Sequence, residues 1–387
     1  MDGNQRTRTA DRARPLAASA PDGAALRRAL LGWFRREQRT LPWRADRDPY
    51  RVWISEAMLQ QTRVATVIPY YERFLARFPD VRALAEAPLD DVLAHWSGLG
   101  YYRRARMLQQ AAQTIVAQHA GQFPATTAEL LLLPGIGRYT AGAIASIAFD
   151  AREPLVDGNV ARVFARLFAL DGDPASKQFQ DELWSRAAVL LPRSKGAGEW
   201  NQALMELGAL VCTPREPRCC DCPLAKRCRA LAEGRVAELP ALAARRTAID
   251  VDLLVLLVPA RGRWLVERRP AQGRMASLWQ FPTIERATNA VSGARLFPTQ
   301  WPKSVAKDGR RVPLLTETSA EALTRLRHTI THHRIRAEVR WGSAQSDELP
   351  EDWRWSSPAE LGRLALTGMA RKVFTRVLAA PTPRMEA

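Results

Sequence analysis

From Ala24 onward, apolar residues recur at the three-to-four-residue spacing that places them on one face of a helix: Leu26, Leu30, Trp33 and Phe34. The same period continues through Trp53–Ile68, Val81–Trp96 and Ala105–Ala117, so this half of the chain is predicted to be all helix. Pro42, Pro49, Pro79, Pro88, Gly98 and Gly100 punctuate it where loops are expected. Thr126 followed by Glu129 makes a capping-box pattern that predicts a helix over Ala128–Leu133, stopped by Pro134-Gly135-Ile136-Gly137. Small and apolar residues at Ala141, Ile144, Ala145 and Ala148 then predict a second helix over Arg138–Ala148. Two glycines bracketing one apolar residue are more than a helix–helix turn requires. They leave backbone N–H groups free to face a phosphate, so Gly135 and Gly137 are expected to hold a nucleic-acid backbone. A further helix is predicted over Val160–Leu170, with Val160, Val163, Phe164, Leu167 and Phe168 on its core face.

The pattern changes after residue 230. Residues 231–248 carry no strong periodicity and are expected to be a linker. The Val and Leu run Val251–Val258, a turn at Gly262 and Trp264–Glu267 predict a β-hairpin, Leu326–Trp341 predicts more strand, and Pro358–Leu378 returns to helical spacing. The expected organisation is a basic disordered arm over 1–22, an all-α domain over 23–230, and a smaller α+β domain over 249–380.

Charge sharpens this picture. The 387 residues carry a formal net charge of +17, which attracts phosphate backbones, while 47% hydrophobic and 25% charged residues are ordinary for a globular protein. No run of eighteen apolar residues is present, and residues 1–22 lack the apolar centre of a secretory signal. The expectation is an intracellular protein with no membrane association, located in the cytoplasm and at the nucleoid if the source is bacterial.

Four of the five cysteines, Cys212, Cys219, Cys222 and Cys228, fall within seventeen residues, separated by six, two and five positions. Such a set can hold zinc or an iron–sulfur cluster, or form a group of redox or structural thiols. One close pair flanked by two singletons favours the cluster over a zinc ribbon, which presents two close pairs; Cys220 is left over. Glu56 lies among Trp53, Ile54, Ala57 and Met58, where it is either a buried carboxyl of raised pKa or an exposed helix residue in a salt bridge. Asp157 precedes a helix, as caps do.

The cysteine spacing and the segments Leu-Pro-Trp-Arg (41–44), Trp-Ile-Ser-Glu-Ala-Met-Leu-Gln-Gln-Thr (53–62), Gly-Leu-Gly-Tyr-Tyr (98–102), Leu-Pro-Gly-Ile-Gly-Arg-Tyr-Thr-Ala-Gly (133–142) and Val-Asp-Gly-Asn-Val (156–160) resemble those of MutY-type adenine DNA glycosylases. These belong to the endonuclease III-like helix-hairpin-helix superfamily. The resemblance is close over about residues 25–230 and looser beyond. It implies an all-α helix-hairpin-helix glycosylase domain with a [4Fe-4S] loop at 212–228, held by Cys212, Cys219, Cys222 and Cys228, followed by a Nudix-like domain. The segment Leu278-Trp279-Gln280-Phe281-Pro282 is similar to that domain's Leu-Trp-x-Phe-Pro, but no Arg-Glu-x-x-Glu-Glu run follows Pro282, so pyrophosphatase activity is not expected.

The same resemblance implies a reaction. The flipped adenine would be protonated by Glu56, the oxocarbenium-like sugar stabilised by Asp157, and the bond hydrolysed with ionised Glu56 activating water. Bifunctional relatives carry a lysine where this chain has Tyr139, so a monofunctional enzyme that leaves the strand intact is implied. Tyr139 is expected to hydrogen-bond Asp157 or the leaving base, and Asn159 to cap the helix. Gln60, Gln61, Thr62 and Tyr101 resemble the family's DNA wedge, and Trp43, Arg44 and Glu206 its adenine pocket. Where the family carries Phe-Ser-His against 8-oxoguanine, this chain has Ile330, Thr331 and His332, which keeps the hydroxyl and loses the aromatic ring. The implied partner is double-stranded DNA with adenine opposite 8-oxoguanine or guanine, bound by a monomer. The rivals are a bifunctional pyrimidine-damage glycosylase, opposed by Tyr139 and the second domain, and a non-catalytic DNA-binding redox sensor, opposed by Glu56 and Asp157.

Overall fold

The computed structural model describes residues 22–241, 247–286, 296–305, 311–346 and 348–378. Its helices are α1 (Gly23–Glu37), α2 (Pro49–Leu59), α3 (Val64–Arg77), α4 (Val81–Glu86), α5 (Leu89–Trp96), α6 (Arg103–His119), α7 (Thr127–Leu130), α8 (Arg138–Phe149), α9 (Gly158–Leu167), α10 (Lys177–Leu190), α11 (Ala197–Leu210) and α12 (Arg229–Ala232). Then come β1 (Ile249–Leu257), β2 (Pro259–Ala260), β3 (Arg263–Arg268), β4 (Trp279–Gln280), β5 (Thr283–Glu285), β6 (Lys303–Val305), β7 (Arg311–Pro313), β8 (Leu315–Glu317), β9 (Thr324–Ile330), β10 (His333–Ala344) and β11 (Trp353–Ser356), followed by α13 (Pro358–Arg363) and α14 (Gly368–Val373). The expected arm over 1–22 lies outside the described residues except for Asp22, whose carboxylate accepts from Ala24 N and caps α1. Residues 242–246 of the expected linker lie outside them too.

Two compact units interleave along the chain. The first joins the segment ending at Arg39 to the stretch that begins at Asp150, and the second joins Thr40–Phe149 to the segment after the linker. In the first unit α1 packs on α11, and α9 packs on α10, α11 and α12. The predicted face of α1 (Leu26, Leu30, Trp33, Phe34) and that of α9 (Val160, Val163, Phe164, Leu167), with Phe168 just beyond it, are buried. The helix stops at Leu167 rather than Leu170, because Ala169 turns into the left-handed region at φ +48°.

In the second unit α2 packs on α8, and Phe74, Phe78 and Trp96 form an aromatic cluster at the core. The continuous period expected over Trp53–Ile68 is two helices. α2 ends at Leu59 and α3 starts at Val64, with Gln61 left-handed at φ +58° between them. Val81–Trp96 is likewise divided at Ala87–Pro88, and Pro358–Leu378 at Leu364–Thr367. The helix expected over Ala128–Leu133 is the short α7. Thr126 caps it by accepting from Glu129 N, while the Glu129 carboxylate takes the Thr126 hydroxyl hydrogen instead of reaching back to the backbone.

The C-terminal segment builds two main sheets. One runs β5-β1-β10-β8 with β9 on β10; the other runs β11-β3-β2 with β4 on β3. The continuous apolar run of β1 reflects burial on both faces. Val251, Leu253, Val255 and Leu257 pack toward α13 and α14, while Leu254, Leu256 and Val258 pack against Leu265, Leu314, Leu315 and Trp353. The hairpin expected between β1 and Trp264–Glu267 is not formed by β1. That strand pairs parallel with β10 and antiparallel with β5, and the turn at Arg261-Gly262 joins β2 to β3 in the other sheet.

Candidate active site and nucleic-acid interface

The second unit places Glu56 on α2, which Asp48 caps at Arg51 N with Pro49 in the first turn. Residues 52–58 are all buried, Glu56 with them at 5% exposure. A carboxylate buried this far needs a partner, and the hydroxyl of Tyr139, on the first turn of α8, donates to it. The sequence expectation gave this hydroxyl to Asp157 or the base; within the second unit it donates to Glu56. Sequence reasoning had also left an exposed salt-bridge role open for Glu56, which its burial removes.

Gly135 and Gly137 are exposed around buried Ile136, which anchors the hairpin and leaves the backbone at its tip open. Gly135 is left-handed at φ +75°, and a Cβ there would come within 2.5 Å of the Met107 side chain, so no other residue fits. Gln60, Gln61 and Thr62 lie in the turn after α2, and Tyr101 lies in the Ser97–Tyr102 loop, half exposed at φ +48°. Gln60, Gln61, Tyr101, Pro134 and Gly135 line one cleft of about 380 Å³ whose floor includes Trp53.

Arg104, which sequence reasoning missed, ties this cleft together. Its Nη1 donates to the carbonyls of Ala57, Met58 and Gln60, and its Nη2 to those of Leu99 and Gly100. One guanidinium thus satisfies the orphan carbonyls at the end of α2 and fastens them to the loop that carries Tyr101. Burial pushes its pKa down to about 10. Trp43 is buried edge-on against Tyr71 at 5.4 Å, a packing role; Arg44 is half-buried beside it in the Pro42–Arg44 turn. Thr331 and His332 form the tip of the β9–β10 hairpin. Thr331 is exposed and left-handed at φ +55°, a costly conformation for a β-branched residue.

In the first unit Asp157 is the N-cap of α9. Its Oδ1 accepts from Val160 N at 2.7 Å and its Oδ2 from Asn159 Nδ2 at 2.8 Å. The expectation that Asn159 would be the cap is therefore corrected: Asn159 orients Asp157 and is itself held by Arg162 Nη2 at 2.8 Å. Burial raises the pKa of Asp157, against the lowering effect of the Val160 and Asn159 bonds. Arg162 also donates to the carbonyls of Gly208 and Cys212, joining the start of α9 to the cysteine loop. Glu206 is paired with Arg39 through Nε and Nη2, at 2.9 and 2.7 Å.

Cys212, Cys219, Cys222 and Cys228 line a single small void of about 30 Å³, whereas Cys220 is exposed and lies outside it. Among the described residues no three His, Cys, Asp or Glu side chains converge closely enough for a single metal ion. Burial raises the thiols of Cys219 and Cys228, and that of Cys222 to about 11. Buried Arg166 braces the loop, donating to the carbonyls of Thr213, Pro214 and Leu239 and approaching the Cys212 sulfur at 3.4 Å.

Residues 54–188 match the HhH-GPD superfamily base excision DNA repair protein family, and residues 254–376 match the NUDIX domain. The chain is 36% identical to the adenine DNA glycosylase of Rattus norvegicus over 419 residues, covering 93% of this chain and 79% of that one. It is 35% identical to the adenine DNA glycosylase of Homo sapiens over 411 residues, covering 90% and 73%. Among solved structures it is similar to a thermostable thymine-DNA glycosylase, with 27% identity and a TM-score of 0.50, covering 55% of this chain and 97% of that one. With a helical HhH-GPD region, a Nudix-like α+β region and this identity over most of its length, the chain belongs to the adenine DNA glycosylase family of base excision repair proteins.

Proposed function

We propose that the chain hydrolyses the N-glycosidic bond of adenine mispaired with 8-oxoguanine or guanine, and leaves the DNA strand uncut. The observation that carries this reading is the buried Glu56 carboxyl with the Tyr139 hydroxyl on it. A buried carboxyl can give a proton to a base that enters its site, and Tyr139 supplies no amine for strand cleavage. Glu56 protonates the flipped adenine so that it leaves neutral. Asp157, held by Val160 N and Asn159, offsets the positive charge that develops on the sugar. Ionised Glu56, with Tyr139 donating to it, then takes the proton of the attacking water.

Gln60, Gln61, Thr62 and Tyr101 fill the gap left by the extruded base, Gly135 and Gly137 present N–H groups to a phosphate, and Thr331 with His332 reads the opposite base. Trp43, Arg44 and Glu206 serve the adenine pocket, chiefly as its frame, given the packing of Trp43 and the Arg39 pair of Glu206. Cys212, Cys219, Cys222 and Cys228 would hold one [4Fe-4S] cluster, because four thiols line one void and follow the spacing of the family's cluster ligands. That cluster would fasten the 212–228 loop and take no part in bond cleavage. The enzyme works as a monomer in the cytoplasm, at the nucleoid in a bacterium, and its domains run over 23–230 and 249–380.

Duplexes carrying adenine opposite 8-oxoguanine, guanine or thymine test the reading. Abasic sites should form opposite the first two and be revealed as breaks only after alkali. Strand breaks before alkali, or efficient borohydride trapping, would assign a lyase instead.

A further inference from the structure

Within the second unit the Nudix-like segment grips the loop that carries Tyr101. Arg371, on α14, donates from Nη2 to the Ser97 hydroxyl at 2.8 Å, and the Tyr102 hydroxyl donates to the Leu366 carbonyl at 3.4 Å. Four residues after Tyr102, Arg106 Nη1 donates to the Ala276 carbonyl at 2.6 Å. Ala276 sits between Met275 and Ser277, both left-handed at φ +55° and +62°. The same turn reaches the other end of the domain, because Arg274 Nη1 lies 2.9 Å from a ring nitrogen of His333, next to the Thr331-His332 tip.

The gripped loop has little freedom of its own. Gly98, Gly100 and Tyr101 all have positive φ, Ser97 is buried, and a Cβ at Gly98 would lie 1.9 Å from the Tyr70 hydroxyl. A loop held this tightly on one side transmits a shift of its anchor instead of absorbing it. The Nε of Arg371 is buried, with no hydrogen-bond partner among the described residues.

We propose that Arg371 is a positioning residue for the wedge. Through Ser97 it sets where Tyr101 stands and makes insertion of Tyr101 depend on the domain that meets the opposite base. This rests on the readings of Tyr101 as wedge and of Thr331-His332 as the tip that meets that base. Arg106 and Arg274 complete the path from the tip to α6.

The test uses the full chain, with single-turnover excision of adenine opposite 8-oxoguanine and opposite guanine. Base extrusion is followed by the fluorescence of 2-aminopurine beside the adenine. Arg371→Met should slow extrusion opposite 8-oxoguanine by about tenfold or more, the scale of a lost charge-assisted hydrogen bond, and lower the ratio of the two excision rates. Ser97→Ala should reproduce the effect, the double variant should add nothing to it, and Arg371→Lys should restore part of it. Equal slowing on both duplexes, or a lower Tm with unchanged extrusion, would reduce the contact to a structural one and overturn the proposal. Thr331→Ala separates the two readings. A ratio lowered by Thr331→Ala and untouched by Arg371→Met keeps the tip and sinks the latch; the reverse keeps the latch and moves recognition elsewhere. Excision by the wild type in the same assay stands apart as the check on the reaction itself.

Discussion

Tyr139 and Glu56, 83 residues apart, share one hydrogen: the phenol of α8 donates it to the carboxylate of α2. Glu56→Gln keeps the shape of the side chain but has no proton to give. It should bind mispaired DNA with near-normal affinity and lose about 10²-fold or more in single-turnover excision. Tyr139→Phe should fall between this variant and the wild type. Fluorescence anisotropy for binding and quenched-flow rates for excision check both; a Glu56→Gln enzyme that cleaves at the normal rate would remove Glu56 from the reaction.

Asp157→Asn isolates charge from structure. Asparagine is as good an N-cap as aspartate, so α9 should be preserved and the thermal midpoint at neutral pH kept or raised, while excision falls about 10²–10³-fold. Because burial raises the pKa of Asp157, the wild-type rate should climb with pH through a value above the ordinary aspartate range. The charge needed for the reaction forms only as the proton leaves. The sign for stability is the opposite, since a folded pKa above the unfolded one means that stability is lost as pH rises through it. A pH–rate profile without that acidic limb would place the developing charge under another group.

The four cysteines around one void predict brown protein with about four irons per chain. Cys228→Ser should lose the colour and the stable binding of DNA, while Cys220→Ser, altered at an exposed position outside the void, should keep both. Zinc without iron in anaerobically purified protein would contradict the cluster.

Glu267 on β3 gives a pH test remote from the reaction. Its Oε1 accepts from Gln280 Nε2 at 2.6 Å and Thr283 N at 3.2 Å, and burial raises its pKa to about 7. The protonated form is favoured by folding, so stability should fall as pH rises from the unfolded value near 4.5 to about 7 and level off above that. The total is on the order of 3 kcal/mol. Glu267→Gln keeps the oxygen that accepts both bonds and has no charge to bury. It should be more stable than the wild type at pH 8 and show none of this dependence in denaturant titrations of the full chain.

Much of this was legible where the signal is local. The faces of α1 and α9, the glycine hairpin and the cysteine group each lie within a few turns of chain, and side-chain chemistry declares them. The break after α2 was not legible, because Gln60-Gln61-Thr62 contains neither glycine nor proline and the left-handed Gln61 is imposed by its surroundings. Arg104 and Arg162 were invisible for a different reason. An arginine reads as surface charge until its acceptors are known, and theirs are backbone carbonyls, some of them more than forty residues away. The parallel pairing of β1 with β10 joins residues 84 positions apart, such as Ile249 and His333, so the adjacent turn at Gly262 was the wrong guide to the partner of β1.

The packing of α1 on α11 bears on how this chain comes to be folded at all. Arg27, Arg35 and Arg39 find their partners in Leu190, Glu199 and Glu206, 163 to 167 residues further on. At about 5–20 residues per second of synthesis, α1 leaves the ribosome roughly 10–30 s before the helix that covers it. For that interval Leu26, Leu30 and Trp33 lack the surface of α11 and are more open to chaperones and to other nascent chains. The surfaces that α10 and α11 offer to it are all made after that interval. A nascent chain arrested between α9 and α11 would therefore hold an α1 whose partner helix has yet to be made.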